Sequence, residues 1–303
     1  MLVRFVLVLT VILSSVASQK KPKKKVWDNP SEAAKQDPDF RLQGEYARPG
    51  LGVHVIARGN SKFQIVTYRG GLPGLGSDGK AAERQDSDTA AVRKLLAGGF
   101  QKIHRKSVTL GAKPPRGATV LFDGTKESLG NWKKGARITE DGLLMQGVTS
   151  VPTFGDHLVH VEFRLPYQPH ARGQGRGNSG LYVQGRYETQ MLDSFGLKGM
   201  HNECGGIYSI RAPDLNACLP PLTWQTYDIE YKAARFGAGG KKLANARMTV
   251  RLNGIVIHPD VELPKRTTAS PLKEGDESGP VYLQNHGNPV RYRNIWVLPR
   301  SSK

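Results

Sequence analysis

Residues 178–193 read NSGLYVQGRYETQMLD. Two short runs of alternating character, SGLYVQ and YETQML, flank Gly185-Arg186, and a glycine-containing pair between such runs reads as a turn joining two strands. Alternation on the second run puts Tyr187, Thr189 and Met191 on one face, and Glu188, Gln190 and Leu192 on the other. An acid and an amide side by side on one face are either solvated surface residues or reach into a groove and hold something with hydroxyl groups.

The same pattern continues on both sides. HLVHVEFRLP, GGIYSI, QTYDIEYKA, ARMTVRLNGIVI, GPVYLQNHG and VRYRNIWVLP are short runs separated by Gly, Asn, Asp or Pro, with no long helical periodicity between them. Regular short strands of this kind indicate an all-β, antiparallel sandwich of jelly-roll type over residues 117–300. His160, Glu162 and Arg164 alternate with Val161, Phe163 and Leu165, so one face is buried and the other polar. A polar concave face suits a carbohydrate. Residues 37–112 form a smaller, mostly β module with one short helix over residues 86–96, and residues 19–36 are a basic, polar lead-in. The glycines between residues 70 and 79 lack the strand, helix and Lys-Ser/Thr of a phosphate loop and are explained by turn chemistry.

The N-terminus carries one arginine, then FVLVLTVILSSV, then Ala17-Ser18. This is a secretory signal over residues 1–18, too short for a lasting membrane span, and it predicts an exported chain. Lys and Arg exceed Asp and Glu, 44 to 26, for a net charge of +18. Part of the excess is the KKPKKK run at residues 20–25, read as a solvated tail; no nucleic-acid motif accompanies it. Cys204 and Cys218 are the two cysteines of the chain. In an exported protein such a pair predicts one disulfide, and no CxxC or histidine cluster supports a metal site.

Several spaced motifs carry a resemblance. They are LFDGTKESLGNW, FGDHLVHVEFRLP, NSGLYVQ with YETQMLD, GGIYSIRAP, TWQTYDIEYKA, RLNGIVI and YLQNHGNPVRYRNIWV, from about residue 119 to 299. In this order they resemble the 3-keto-disaccharide hydrolase domain family, which implies a concanavalin-like jelly roll. It also implies cleavage of glycosides already oxidised at C3, by elimination or with hydration of the product. A C3 ketone acidifies the C2 proton, so a modest base removes it and the enolate expels the C1 group. Such a site needs a base near C2, a donor at the C3 oxygen and a proton for the leaving oxygen. The substrate is then a glycoside or oligosaccharide. A separate oxidoreductase must supply the ketone, because none of its cofactor motifs occur here.

A conventional glycosidase needs two flanking carboxylates, ~5–10 Å apart. On the YETQML strand the partners of Glu188 on its face are Gln190 and Leu192, so the pair is absent and a single base is indicated. Glu188 is therefore the candidate base, and Gln190 a hydroxyl-binding residue. Asn178 and Ser179 open the neighbouring strand and are candidates for binding hydroxyls or fixing Glu188, although Asn-Ser-Gly is also ordinary turn chemistry. His286 is a candidate proton donor or carbonyl polariser, against a plain turn role before Gly287. Gln284 shares its strand. Arg293 is a candidate partner for Glu188 or the keto oxygen, against a structural role. Asp193 and His201 are candidates for one rim, and Trp132 and Trp224 are read as core. A divalent metal could stabilise the enolate, but no ligand cluster demands one. Two other functions compete: a non-catalytic carbohydrate-binding module and a conventional glycoside hydrolase.

Overall fold

The computed structural model describes residues 25–301; the signal peptide and most of the basic tail read from the sequence lie outside them. Among the described residues, no helix is long and apolar enough to cross a membrane.

The lead-in is more structured than its composition suggests. Helices α1 (Pro30–Gln36) and α2 (Pro38–Leu42) each begin with proline at the first position and are capped by Asn29 and Asp37, the arrangement that satisfies orphan N–H groups at low cost. Ala33 is fully buried, and Trp27 pairs with Tyr167 of the following unit. These residues belong to the core of the N-terminal module. That module is an antiparallel sheet of β1 (Gly44–Arg48), β2 (Leu51–Gly59), β3 (Lys62–Arg69), β4 (Glu83–Asp88) and β5 (Gln101–Ile103), in the order β4-β3-β2-β1-β5. Helix α3 spans Thr89–Leu96, starting later than expected because Asp86 belongs to β4 and Asp88 is the cap. Strand β4, ERQDSD, is almost wholly exposed at a sheet edge. Its polar composition defends that edge and hides the strand from a search for alternation.

The second unit is a sandwich. Its strands are β6 (Thr119–Phe122), β7 (Leu144–Met145), β8 (Val148–Phe154), β9 (His157–Arg164), β10 (Asn178–Val183), β11 (Tyr187–Leu192), β12 (Trp224–Lys232), β13 (Arg235–Phe236), β14 (Lys242–Ala244), β15 (Ala246–Leu252), β16 (Ile255–Leu263), β17 (Gly279–Leu283) and β18 (Arg291–Pro299). One sheet runs β11-β10-β17-β8. The other runs β16-β15-β12-β9-β18-β6, with β7 beside β18, and β13 and β14 form a separate ribbon. Val159, Val161 and Phe163 from one sheet and Leu181, Tyr187 and Met191 from the other fill the core between them.

The polar face of β9 is not open. Residues 107–112 of the linker lie across it. The Thr109 hydroxyl donates to Asp228 at 2.7 Å, the Gly111 N–H donates to Glu162, and Asn294 donates to the Ala112 carbonyl at 3.0 Å. Burial of Glu162, 1% exposed, would raise its carboxyl, but hydrogen bonds from Asn294, Gly111 and Arg293, with the His160 ring 3.8 Å away, lower it to about 2. A carboxylate depressed in the fold contributes stability above its unfolded pKa and loses it as pH falls. The protein is therefore expected to lose stability between about pH 5 and 2, with Glu162→Gln showing a flatter acid limb in urea titrations. Glu162→Ala, which leaves the Gly111 N–H and the Asn294 amide without their acceptor, is expected to cost about 2–3 kcal/mol at neutral pH.

Candidate active site

The strand register aligns a row of side chains across the outer face of the smaller sheet. Glu188 on β11 stands opposite Tyr182 on β10, which stands opposite Tyr282 on β17. On the other flank, residues 205–208 extend the sheet edge. The Tyr208 N–H donates to the Glu188 carbonyl at 3.1 Å, and Ile207 bridges Thr189 on the core side. Alternation then places Tyr208 on the Glu188 face. The Tyr182 and Tyr282 rings lie 5.2 Å apart. These three tyrosines were not singled out from the sequence. Their only sequence signal is that each sits in an alternating run, and their convergence depends on pairing between distant strands.

Glu188 is 2% exposed. Its carboxyl is pushed up to about 7 by burial, against a hydrogen bond from Tyr182 that acts in the opposite direction. Its Oε1 has no hydrogen-bond partner. The side chain lies over Gly180, where a Cβ would overlap Oε1. The Gln284 amide donates to the Tyr182 hydroxyl at 3.2 Å, which places Gln284 next to the Tyr182–Glu188 pair. Because the Tyr182 bond favours the ionised carboxylate, Tyr182→Phe is expected to raise the Glu188 pKa above 7, a change readable as an upward-shifted acid limb in the pH dependence of turnover.

The amides share this face. Gln190 stands opposite Gly180 and donates to Gln174 Oε1 at 3.1 Å. The Asn178 amide nitrogen donates to the Gln174 carbonyl at 2.9 Å, while its buried Oδ1 is unpartnered. Gln174, also missed in the sequence, gathers both. A buried acceptor without a partner is uncommon in a folded protein, and Asn178 Oδ1 is one.

Other candidates are placed elsewhere. Ser179 points inward, bonding the Tyr292 hydroxyl at 2.6 Å and the Gln284 carbonyl at 2.7 Å; adjacent residues of one strand must face opposite sides. Arg293 is on the other sheet, donating to Glu162 at 2.6 Å and lying 4.2 Å over Trp224. It cannot balance Glu188 across the sandwich. Asp193 falls beyond the strand at the seam between the two units, beside Arg176 and Phe195, and burial raises its carboxyl. His201 is an exposed loop residue whose ring meets Tyr208 edge-on at 6.4 Å. His286 is exposed in the loop after β17, two residues beyond Gln284. Trp132 is core, whereas Trp224 is half-buried between Arg164 and Arg293. Cys204 and Cys218 are free, buried thiols in side-chain contact rather than the expected disulfide. Cys204 is held by the Tyr227 hydroxyl at 3.4 Å and Cys218 is surrounded by carbonyls of Leu192 and Leu219. Among the described residues, no three His, Cys, Asp or Glu side chains are grouped to hold a metal ion.

The jelly-roll sandwich is the fold of a family of carbohydrate-active enzymes, and its relatives support that class for this chain. Residues 117–298 match the family model of the 3-keto-alpha-glucoside-1,2-lyase-like domain, and the chain belongs to that family. Among solved structures, it is similar to a Parabacteroides distasonis ATCC 8503 protein proposed to be a glycosyl hydrolase, at 30% identity and a TM-score of 0.56, over 61% of this chain and 85% of that one. A second protein from the same organism, also proposed to be a glycosyl hydrolase, is similar at 18% identity and a TM-score of 0.45, over 61% and 94%. Comparison with curated protein sequences gives no match.

Proposed function

We propose that the chain cleaves 3-keto-glycosides by elimination, with Glu188 as the base. The observation that carries this reading is a single buried carboxylate, poised near pH 7, with one free oxygen and no second carboxylate in its row. Direct glycoside hydrolysis needs a second acid across the bond. Proton abstraction beside a ketone needs one base of near-neutral pKa.

In the reaction, a Glu188 oxygen takes the C2 proton. The C2–H electron pair forms the C2=C3 bond of an enolate, and charge gathers on the C3 oxygen. Tyrosine hydroxyls of the row are the donors available to that oxygen and to the leaving oxygen. As the C3 carbonyl reforms, the pair shifts to C1=C2 and the C1–O bond breaks. The leaving oxygen takes a proton, and the sugar departs as a 2-hydroxy-3-keto-glucal. Asn178 Oδ1 accepts a sugar hydroxyl. Because the ketone must already be present, a separate oxidoreductase acts before this enzyme, and the N-terminal signal sends the chain out of the cytoplasm to meet its product.

Mature protein incubated with a matched pair of glucosides, one 3-keto and one unoxidised, tests this by mass spectrometry. Release of aglycone and glucal from the 3-keto compound alone is expected. Equal release from both points to conventional hydrolysis, and saturable binding without product to a binding module. Turnover is expected to rise with pH through about 7, since only the ionised base accepts the proton.

A further inference from the structure

The seam between the two units holds a cavity of about 420 Å³, lined by none of the residues of the Glu188 row. That volume lies within the range of small-molecule sites. Its charge is one-sided. Arg41, Lys102, Arg105 and Lys106 line it, and the one carboxylate among its walls is Glu45. Glu45 is already engaged: Arg105 grips it with two nitrogens and His54 bonds it at 3.0 Å.

The other cations have no such partner. Lys102 is half-buried, and its ammonium donates to the Arg41 carbonyl at 2.7 Å; among the described residues no carboxylate lies within ion-pair distance of it. Burial lowers its pKa, as expected of an ammonium without a counter-ion. The Arg41 guanidinium reaches the Ala34 carbonyl at 2.7 Å. Phe40 and Leu222 supply apolar wall. A bare inorganic anion would leave that wall unfilled, and a neutral apolar molecule would leave the cations uncompensated.

We propose that this seam cavity is a second binding site, for a small amphipathic anion: an organic carboxylate, sulfonate or phosphate monoester with an apolar body. Contributions from both units make the site a property of the full chain. Loss of Lys102 removes an ion pair made in a partly desolvated cavity, so it weakens the anion far more than a neutral analogue.

Titration calorimetry on the full mature chain provides the test, using 2-naphthoate, the neutral 2-naphthalenemethanol and inorganic phosphate. Saturable binding of 2-naphthoate is expected, at least about tenfold tighter than either comparison compound and weakened by added salt. Lys102→Met is expected to lower the affinity about tenfold. Because Lys102 also holds the Arg41 carbonyl, Lys106→Ala serves as a second variant and should weaken binding without altering thermal unfolding. Glu188→Gln should bind 2-naphthoate as the parent does. Absence of saturation at millimolar concentration, equal affinity for the neutral analogue, or loss of binding in Glu188→Gln with retention in both lysine variants would overturn the proposal.

Discussion

Glu188→Gln is expected to lower kcat on a 3-keto-glucoside by about 10²–10⁴-fold, the span of a positioned general base. The same substitution is expected to make the protein more stable at alkaline pH. Glu188 keeps its proton to about pH 7 in the fold, against 4.5 when unperturbed. The folded chain therefore holds a proton that the unfolded chain has released between those values. Stability falls as pH rises through this window and levels off above it, a loss of roughly 3 kcal/mol. An uncharged glutamine of the same shape escapes that loss. Urea titrations of the two proteins should thus converge near pH 4 and separate by pH 8, by roughly 2–3 kcal/mol. A variant that keeps parental turnover would remove Glu188 from the chemistry. A variant that loses turnover but shows no alkaline gain would mean that the carboxylate is not buried as described.

Gly180→Ala carries the second large expectation. Gly180 stands opposite Gln190 in the ladder, and Glu188 lies over the space where a side chain would be. Its backbone is ordinary strand, so alanine meets no φ/ψ penalty there. The obstacle is the Glu188 carboxyl itself. A methyl group forces that carboxyl aside, at about 1–3 kcal/mol of packing strain. A displacement on the order of 1 Å costs roughly 10²-fold in kcat. If Gly180 acts only by making room, adding Gly180→Ala to Glu188→Gln should cost no further activity. Multiplied losses in the double variant would show that Gly180 has a separate role, such as admitting substrate close to the backbone.

The two substitutions separate what a strand provides from what its neighbours provide. The YETQML run is enough to place Glu188 and Gln190 on one face and to exclude a second carboxylate beside them, because side-chain direction along a strand depends only on parity. Parity does not say what covers a face. His160 and Glu162 read as the polar side of an amphipathic strand, yet both are buried, Glu162 under the linker and His160 against Trp296 and Asp228. Arg293 reads as a cation near the site, yet its strand belongs to the opposite sheet. Strand β4 has no hydrophobic alternation, and only its ladder with β3 reveals it.

From the sequence by itself come the all-β architecture, the hairpin at residues 178–193, the family motifs and the lone acid of that hairpin, since each depends on residues close along the chain. The tertiary structure decided that Glu188 is buried and shifted toward neutrality, that Tyr182, Tyr208 and Tyr282 flank it, that Gln174 gathers the amides, and that Cys204 and Cys218 are buried. These properties depend on desolvation and on hydrogen bonds between segments far apart in the chain, and local pattern carries no information about which distant strand becomes a neighbour.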